Sequence, residues 1–262
     1  MTAGLTCADE RRAAARAWLL QPAGPVPRVK LCGMSRACDI DALLAARPDM
    51  CGFIVGFPRS HRNVEPEALA DLTERLQAAE EQTAAAAVAA GESPAAPIWR
   101  VGVFVDMAPA QVARTVRECN LDLVQLHGHE DARYVAELRH ELPGAGIVQA
   151  FRVATAEDVQ HACASEADLI LLDSGQGSGA AFDWQLATQA TRPFLLAGGL
   201  GPGNVAQAIG QTHPWGVDMS SGIETAKLKD AEKMRAAVAA AHKAAGAAVK
   251  TAAQTAQKGD NA

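Results

Sequence analysis

The chain has 262 residues, a formal net charge of −6 and a hydrophobic fraction of 49%. The negative charge argues against a nucleic acid or an anionic membrane as the main partner. No apolar run reaches the ~18 residues that a membrane-spanning helix needs. The six cysteines form no CxxC pair and no zinc-like cluster with histidine. We therefore expect reduced thiols, no metal site and a cytoplasmic location.

The first 27 residues are predicted to form a helix and a linker. A helical stretch covers Asp9–Leu20, and a proline-rich segment, Gln21–Pro27, follows it. The opening residues carry acidic side chains and lack a 7–15-residue apolar stretch, so we expect no secretory signal. We place the catalytic domain at residues 28–245. The alanine-rich stretch 246–262 is expected to be a flexible tail.

Eight short runs of β-prone apolar residues follow the linker, and segments with helical patterning separate them. Runs that are apolar throughout, rather than alternating, are typical of parallel strands covered on both faces. Strand-then-helix repeats indicate a parallel sheet, and a count of eight in a chain of this length favours closure into a barrel. The predicted strands are Arg28–Cys32, Met50–Val55, Trp99–Val105, Leu121–Leu126, Ile147–Phe151, Leu169–Leu172, Phe194–Ala197 and Trp215–Met219.

Helix signals lie between these runs. Thr155–Cys163 opens with a threonine that can cap a helix and has acidic residues in its first turn. Pro202–Ile209 opens with proline, which is favoured at the first helical position. The other predicted helices include Pro66–Ala79, Pro109–Cys119 and Asp131–Arg139. The fold class is therefore α/β, a single (β/α)8 barrel with an N-terminal helical extension and an alanine-rich C-terminal tail.

Two glycine-rich turns follow the last two predicted strands. Gly198 and Gly199 lead into a helix, and Ser220, Ser221 and Gly222 follow strand eight. Glycines let the backbone approach a phosphate, and a helix N-terminus presents free N–H groups. Phosphate commonly binds after strands seven and eight of such barrels, although a glycine turn can also be only a tight connection. No G-x-G-x-x-G follows the first strand, which argues against a dinucleotide site.

Two reactive side chains lie at predicted strand ends. Cys32 ends strand one, and Asp173 follows strand six. A thiolate can act as a general base and a protonated carboxyl as a general acid, the pair that an aldose–ketose isomerisation of a sugar phosphate requires. The spacing alone leaves alternatives open, because Cys32 could be a small core residue and Asp173 a helix cap.

These motifs together resemble one family, the phosphoribosylanthranilate isomerases of tryptophan biosynthesis. The resemblance runs in the family's order from about Arg28 to Asp230. Its motifs are KLCGM from Lys30, GFI with PRSHR to Arg62, VGVFV from Val101, VQLHG from Val124, LLD to Asp173, FDW from Phe182, AGGL with Asn204 and Val205, and VDMSSGIE from Val217.

The resemblance implies an Amadori rearrangement of N-(5-phospho-β-D-ribosyl)anthranilate, a small phosphosugar, with no cofactor. It assigns Cys32 as the general base and Asp173 as the general acid. Arg62 matches the arginine that holds the anthranilate carboxylate, and His127 and Asp218 match positions that line the pocket. The phosphate-binding turns correspond to Gly198, Gly199, Ser220, Ser221 and Gly222.

Two other readings remain open at this point. Another phosphosugar barrel, such as an indole-glycerol-phosphate synthase or a histidine-pathway isomerase, would need a catalytic lysine on the strands or an acid–acid pair at strand ends. Here Cys32 stands at the end of the first strand, and Lys30, two residues earlier on the same face, is only a supporting candidate for such a lysine. An inactive barrel could instead bind phosphometabolites as a regulator, which the presence of both Cys32 and Asp173 argues against.

The loop Gly175–Gly179 is expected to close over the ligand. The family's usual glycine before Lys-Asp is missing in Ala226–Asp230.

Overall fold

Eight parallel strands form a closed barrel in the computed structural model, which describes residues 6–173 and 184–244. The first strand pairs with both the second and the eighth, so the ring closes and the predicted fold class is confirmed. The strands are β1 (Arg28–Cys32), β2 (Met50–Val55), β3 (Trp99–Phe104), β4 (Leu123–Leu126), β5 (Gly146–Arg152), β6 (Leu169–Asp173), β7 (Phe194–Ala197) and β8 (Gly216–Met219).

Helices surround the strands, as the alternating pattern predicts. They are α1 (Cys7–Leu19), α2 (Ala37–Ala46), α3 (Pro66–Ala89), α4 (Pro109–Glu118), α5 (Ala132–Glu141), α6 (Ala156–Cys163), α7 (Val205–Thr212) and α8 (231–244). Between β6 and β7, the described part of the connection holds only the 3-10 turn Ala187–Gln189. Pro193 follows shortly after, and a proline disfavours helical backbone in the residue before it.

Helix α3 is longer than its apolar pattern predicts. It continues ten residues beyond Ala79, to Ala89, because the alanines that follow have a high helix propensity even where they bury little surface. Helix α1 begins two residues before the predicted Asp9. The Thr6 side chain caps it by accepting a hydrogen bond from the Asp9 amide.

Two apolar layers hold the barrel together. Alternate strand residues such as Val29 and Leu31 pack outward against the helices. Residues such as Val101 and Leu171 fill the interior, where Leu19 of α1 joins the same cluster. Helix α1 therefore packs against the amino ends of the strands, opposite to the end where the catalytic groups are expected.

A small hairpin follows β8 and lies beside the carboxyl end of the barrel. The 3-10 turn Ser221–Ile223 leads into two antiparallel segments, Glu224–Thr225 and Leu228–Lys229. Another short strand, Asn63–Val64, pairs with the end of β2. Over the residues that the structure describes, none of the helices combines the length and the apolar character needed to cross a bilayer.

Candidate active site

A cavity of about 320 Å³ opens at the carboxyl ends of the barrel strands. Nine of the ten predicted site residues line it, and they come from both halves of the chain. They are Cys32, Arg62, His127, Asp173, Gly198, Gly199, Asp218, Ser220 and Ser221. The tenth, Gly222, lies behind the wall against Gly201. The structure therefore brings the predicted residues together around one cavity.

Cys32 ends β1 with its side chain turned into the barrel. It is buried, with 5% of its surface exposed. Burial raises the pKa of its thiol above the ordinary value, and the nearby ammonium groups of Lys30 and Lys229 oppose that rise. Asp218 adds to the rise, and the net pKa shift is upward. The thiol thus sits in a buried niche that contains both positive and negative charges.

Lys30 and Asp218 form a buried ion pair beside Cys32. Lys30 Nζ lies 3.0 Å from Asp218 Oδ1 and 3.1 Å from Oδ2. The two residues are register partners on the adjacent strands β1 and β8, which explains how residues so far apart in sequence meet. Although burial lowers it, the pKa of Lys30 is raised overall by Asp218 and Cys32, so the lysine stays charged.

Asp173 ends β6 on the same cavity and faces His127 of the loop after β4. His127 Nε2 lies 3.7 Å from Asp173 Oδ2. On the other side of the ring, Gln125 Nε2 lies 3.0 Å from His127 Nδ1. An amide nitrogen donates, so Nδ1 accepts and the neutral ring carries its proton on Nε2, toward Asp173. Gln125 thus fixes the imidazole with Nε2 facing the carboxylate, at a distance longer than a hydrogen bond.

Arg62 reaches the cavity from the loop after β2 and pairs with the hairpin. Its Nε and Nη2 donate to the two carboxylate oxygens of Glu224, at 2.6 and 2.8 Å. Lys229 Nζ donates to the same carboxylate at 2.7 Å and to the Ser220 carbonyl at 3.0 Å. Burial raises the pKa of Glu224, but the hydrogen bonds from Arg62 and Lys229 outweigh it and lower the pKa to about 2.

The two glycine-rich turns lie side by side on the cavity wall. Gly198 and Gly199 have φ values of +97° and +64°, a backbone conformation that other residues rarely adopt. Asn204 braces the first turn, because its Oδ1 accepts from the Gly201 amide at 2.8 Å and its Nδ2 donates to the Gly199 carbonyl at 3.1 Å. A Cβ on Gly201 would lie 2.9 Å from the Gly222 carbonyl oxygen. Only glycine lets the two turns approach this closely.

Three residues of the site escape an analysis of single strand ends. Gln125 is buried, and its Oε1 has no hydrogen-bond partner among the described residues. Glu224 and Lys229 enter the site through the hairpin, whose position depends on the closed barrel. The sequence signals for Gln125 are its place in the VQLHG motif at the end of a predicted strand and its spacing of two from His127, but no role was assigned to it. The loop Gly175–Gly179, expected to close over the ligand, lies outside the described residues.

The fold and the cavity together define a (β/α)8-barrel protein with a thiol, a carboxyl and two glycine-rich turns at the carboxyl ends of its strands. In enzymes of this fold, catalytic groups come from the ends of several different strands. Cys32, Asp173 and the two turns have that arrangement. The class of protein is therefore a barrel enzyme.

Comparisons with known proteins narrow the class to one family. The profile of the N-(5'phosphoribosyl)anthranilate (PRA) isomerase family matches residues 29–240. The N-(5'-phosphoribosyl)anthranilate isomerase of Acetivibrio thermocellus is 38% identical over 221 residues, which cover 79% of this chain and 92% of that protein. The chain belongs to the phosphoribosylanthranilate isomerase family.

Solved structures agree with this assignment. Phosphoribosyl anthranilate isomerase from Thermotoga maritima is similar with a TM-score of 0.68 and 29% identity, over 82% of this chain and 98% of that one. A phosphoribosyl anthranilate isomerase in complex with reduced 1-(o-carboxyphenylamino)-1-deoxyribulose 5-phosphate is similar with a TM-score of 0.66 and 28% identity, over the same shares. Each match spans nearly the whole of the other protein.

Proposed function

We propose that this chain converts N-(5-phospho-β-D-ribosyl)anthranilate into 1-(2-carboxyphenylamino)-1-deoxy-D-ribulose 5-phosphate in L-tryptophan biosynthesis. One observation carries the proposal. Cys32 and Asp173, which end β1 and β6, line a single cavity that also contains both glycine-rich turns. The related structure with a reduced phosphosugar product supports the same substrate class. The reaction is an Amadori rearrangement, which moves protons within one molecule.

The phosphate is held by the two turns in this proposal. Backbone N–H groups of Gly198, Gly199 and Ser221, which line the cavity, face it, and Gly222 supports the second turn from behind. The Ser220 hydroxyl, which donates to the Cys32 carbonyl at 3.1 Å, turns its proton to the phosphate. Helix α7 starts at Val205, after the first turn, and its N-terminal dipole favours an anion. A dianion bound this way fixes the sugar with its reacting carbons inside the cavity.

Ring opening is assigned to Asp173. The protonated carboxyl gives its proton to the ribose ring oxygen, the bond from that oxygen to C1 breaks, and a Schiff base forms with the anthranilate nitrogen. The Nε2–H of His127, 3.7 Å from Asp173 Oδ2, faces the carboxyl and stabilises the carboxylate that remains. A positive partial charge near an acid favours loss of its proton.

The second proton transfer is assigned to Cys32. Its thiolate removes the proton from C2, and the electron pair moves through C1 to the Schiff-base nitrogen, which forms an enolamine. Tautomerisation of the enolamine gives the ketone. General base catalysis of this kind contributes about 10²–10⁴-fold to rate. The substrate's own nitrogen serves as the electron acceptor in this step.

Arg62 is proposed to bind the anthranilate carboxylate, and Asp218 to line the pocket beside the sugar. The pairing with Glu224 uses the Nε and Nη2 edge of Arg62. The edge of the guanidinium toward Nη1 is directed away from Glu224, where a planar carboxylate can bind in two-point geometry. Glu224 thus orients the arginine for its ligand.

The proposed function is tested by turnover of freshly prepared substrate, with the product followed by chromatography and mass spectrometry. Cys32→Ala and Asp173→Asn are each expected to lower kcat about 10²–10⁴-fold while the fold and binding of the reduced product analogue persist. Cys38→Ala and Asp71→Asn change exposed residues of the same types and serve as matched controls. A wild-type protein that binds the analogue but does not turn over would be a regulator, which overturns the proposal.

We also assign the catalytic unit to residues 28–245, preceded by the helix and linker 1–27. The family match over residues 29–240 and the position of β1 support these boundaries. The tail 246–262 lies outside the described residues. All six cysteines are free thiols, which fits the expected cytoplasmic location.

A further inference from the structure

A buried lysine lies next to the proposed base, and the proton transfers above do not use it. Lys30 precedes Cys32 by two residues on β1, so both side chains point into the barrel. The lysine is 1% exposed, and Asp218 holds its ammonium group at 3.0 Å. A fully buried lysine is rare, because removing an ammonium from water is expensive unless its partners compensate.

The ammonium also lies beside the thiol. The charges of Asp218 and of Cys32 both raise the pKa of Lys30. Gly52 is the register partner of Cys32 on β2. A Cβ at Gly52 would lie 2.6 Å from Cys32 Sγ and 2.9 Å from Lys30 Nζ. The missing side chain of Gly52 therefore leaves the space in which thiol and ammonium meet.

Each structural element that packs around Cys32 contributes a defined charge. Lys30 and Asp218, from β1 and β8, form a pair with no net charge. Lys229 from the hairpin and Arg62 from the loop after β2 share the single carboxylate of Glu224. Asp173 and His127 line the same cavity from the other strands. Lys30 is thus the positive charge that shares the space at Gly52 with the thiol, and Asp218 is the negative charge that offsets it.

We propose that Lys30 is a positioning residue for the reaction. Its buried ammonium stabilises the Cys32 thiolate by its charge, and Asp218 limits that stabilisation. The inference rests on the proposed role of Cys32 as base. A lysine paired with aspartate is stably charged at this depth. The same aspartate partly offsets the charge of the ammonium. The thiolate therefore stays basic enough to remove a proton from carbon.

This arrangement predicts opposite effects for the two members of one ion pair. Without Lys30, the thiolate loses its neighbouring cation, and its formation moves to higher pH. Without the Asp218 charge, the cation acts unopposed and thiolate formation moves to lower pH. The double variant Lys30→Met/Asp218→Asn leaves no unpaired buried charge. It loses both opposing charges, so thiolate formation falls between the two single variants.

The experiment measures alkylation of Cys32 by iodoacetamide against pH in the free protein. The peptide that contains Cys32 is followed by mass spectrometry, which separates it from the exposed thiols of Cys7 and Cys38. At a fixed pH on the rising limb, Lys30→Met is expected to react about tenfold more slowly and Asp218→Asn about tenfold faster. Lys243→Met and Asp71→Asn, at exposed positions, are matched controls and should leave the rate unchanged.

A purely structural role for the pair would move both variants in the same direction or neither. Either result overturns the inference, and so does a double variant outside the range between the two single variants. If Lys30→Met does not fold, Asp218→Asn must react faster than both wild type and the double variant; any other order overturns the inference. Wild-type turnover is measured separately. If the wild-type protein turns over substrate but the alkylation rates of Lys30→Met and Asp218→Asn do not shift in opposite directions, only this inference is refuted. If the wild-type protein does not turn over substrate, the proposed function is refuted.

Discussion

The two ends of this barrel use ion pairs in different ways. At the amino end, Arg11 of helix α1 pairs with Asp122 at 2.8 Å, and Arg16 pairs with Asp168 at 3.0 Å. Trp18 packs edge-on against Trp215 with ring centroids 5.2 Å apart. These pairs attach a helix to the strands, and the apolar cluster beneath the helix closes this end of the barrel.

At the carboxyl end, the ion pairs surround a cavity. Lys30 and Asp218 lie under Cys32, and Arg62 and Lys229 share Glu224. Similar ion pairs thus have different roles at the two ends of the barrel. At the amino end, packed side chains fill the space beside the charges, whereas at the carboxyl end a substrate can enter the cavity beside them. Changes at the amino end are therefore expected to alter stability alone, whereas changes at the carboxyl end can alter both chemistry and stability.

The largest effect outside the proposed acid and base is expected at the phosphate turn. Gly199→Val places a β-branched residue at a φ of +64°, so the backbone N–H groups move away from the phosphate. Losing two hydrogen bonds to a charged group, each worth about 1.5–3 kcal/mol, lowers kcat/KM by at least about a hundredfold. Steady-state kinetics measure this change, together with competitive inhibition by inorganic phosphate.

Gly203→Ala is the matched control in the same loop, because a Cβ at Gly203 meets no atom within 4 Å. Its kinetic constants should match those of wild type. A normal KM and normal inhibition by phosphate in Gly199→Val would place the phosphate elsewhere in the cavity.

The next largest effect is expected at the amino end, and it should appear in stability rather than in turnover. Leu19 is 1% exposed, whereas its neighbour Leu20 is 57% exposed. Leu19→Ala is expected to lower the free energy of unfolding by about 3 kcal/mol, and Leu20→Ala to change it by less than about 0.5 kcal/mol. Urea denaturation measures both. A loss of kcat in folded Leu19→Ala would show that the two ends are not independent.

The acid stability of the hairpin sharpens the comparison further. The pKa of Glu224 is lowered to about 2 from an ordinary value of 4.5. The ionised side chain therefore adds stability above about pH 4.5, and the contribution is lost as the pH falls toward 2. Glu224→Gln should be destabilised relative to wild type at pH 6, and the difference should shrink by pH 3 in urea titrations. An equal difference at both pH values would contradict the assigned pKa.

The smallest effect is expected at the turn of the hairpin, where stability should increase. Ala226 and Lys227 have φ values of +51° and +65°, the conformation of a two-residue hairpin turn that favours asparagine and glycine. Lys227→Gly should stabilise the chain by about 1 kcal/mol, because it removes the strain of a Cβ in this region. Lys227→Ala keeps the Cβ and should show no gain in thermal denaturation.

Much of the fold follows from local sequence pattern. The bounds of β1, β2 and β7 agree with the prediction, since a short β-rich run that is apolar throughout identifies a buried strand without knowledge of its neighbours. The C-terminal end of α3 and the short helical turn after β6 were not predicted. Alanine extends a helix without an apolar pattern, and the chain between β6 and β7 has no clear helical period.

The sequence by itself determined which residues stand at the strand ends, including Cys32 and Asp173, because strand limits and parallel order decide that position. Only the tertiary structure decided which charges meet there. Lys30 meets Asp218 because closure of the ring makes β1 and β8 neighbours in a specific register. Arg62 meets Glu224 across 162 residues. Such pairings depend on barrel closure and hairpin placement, which no local pattern encodes.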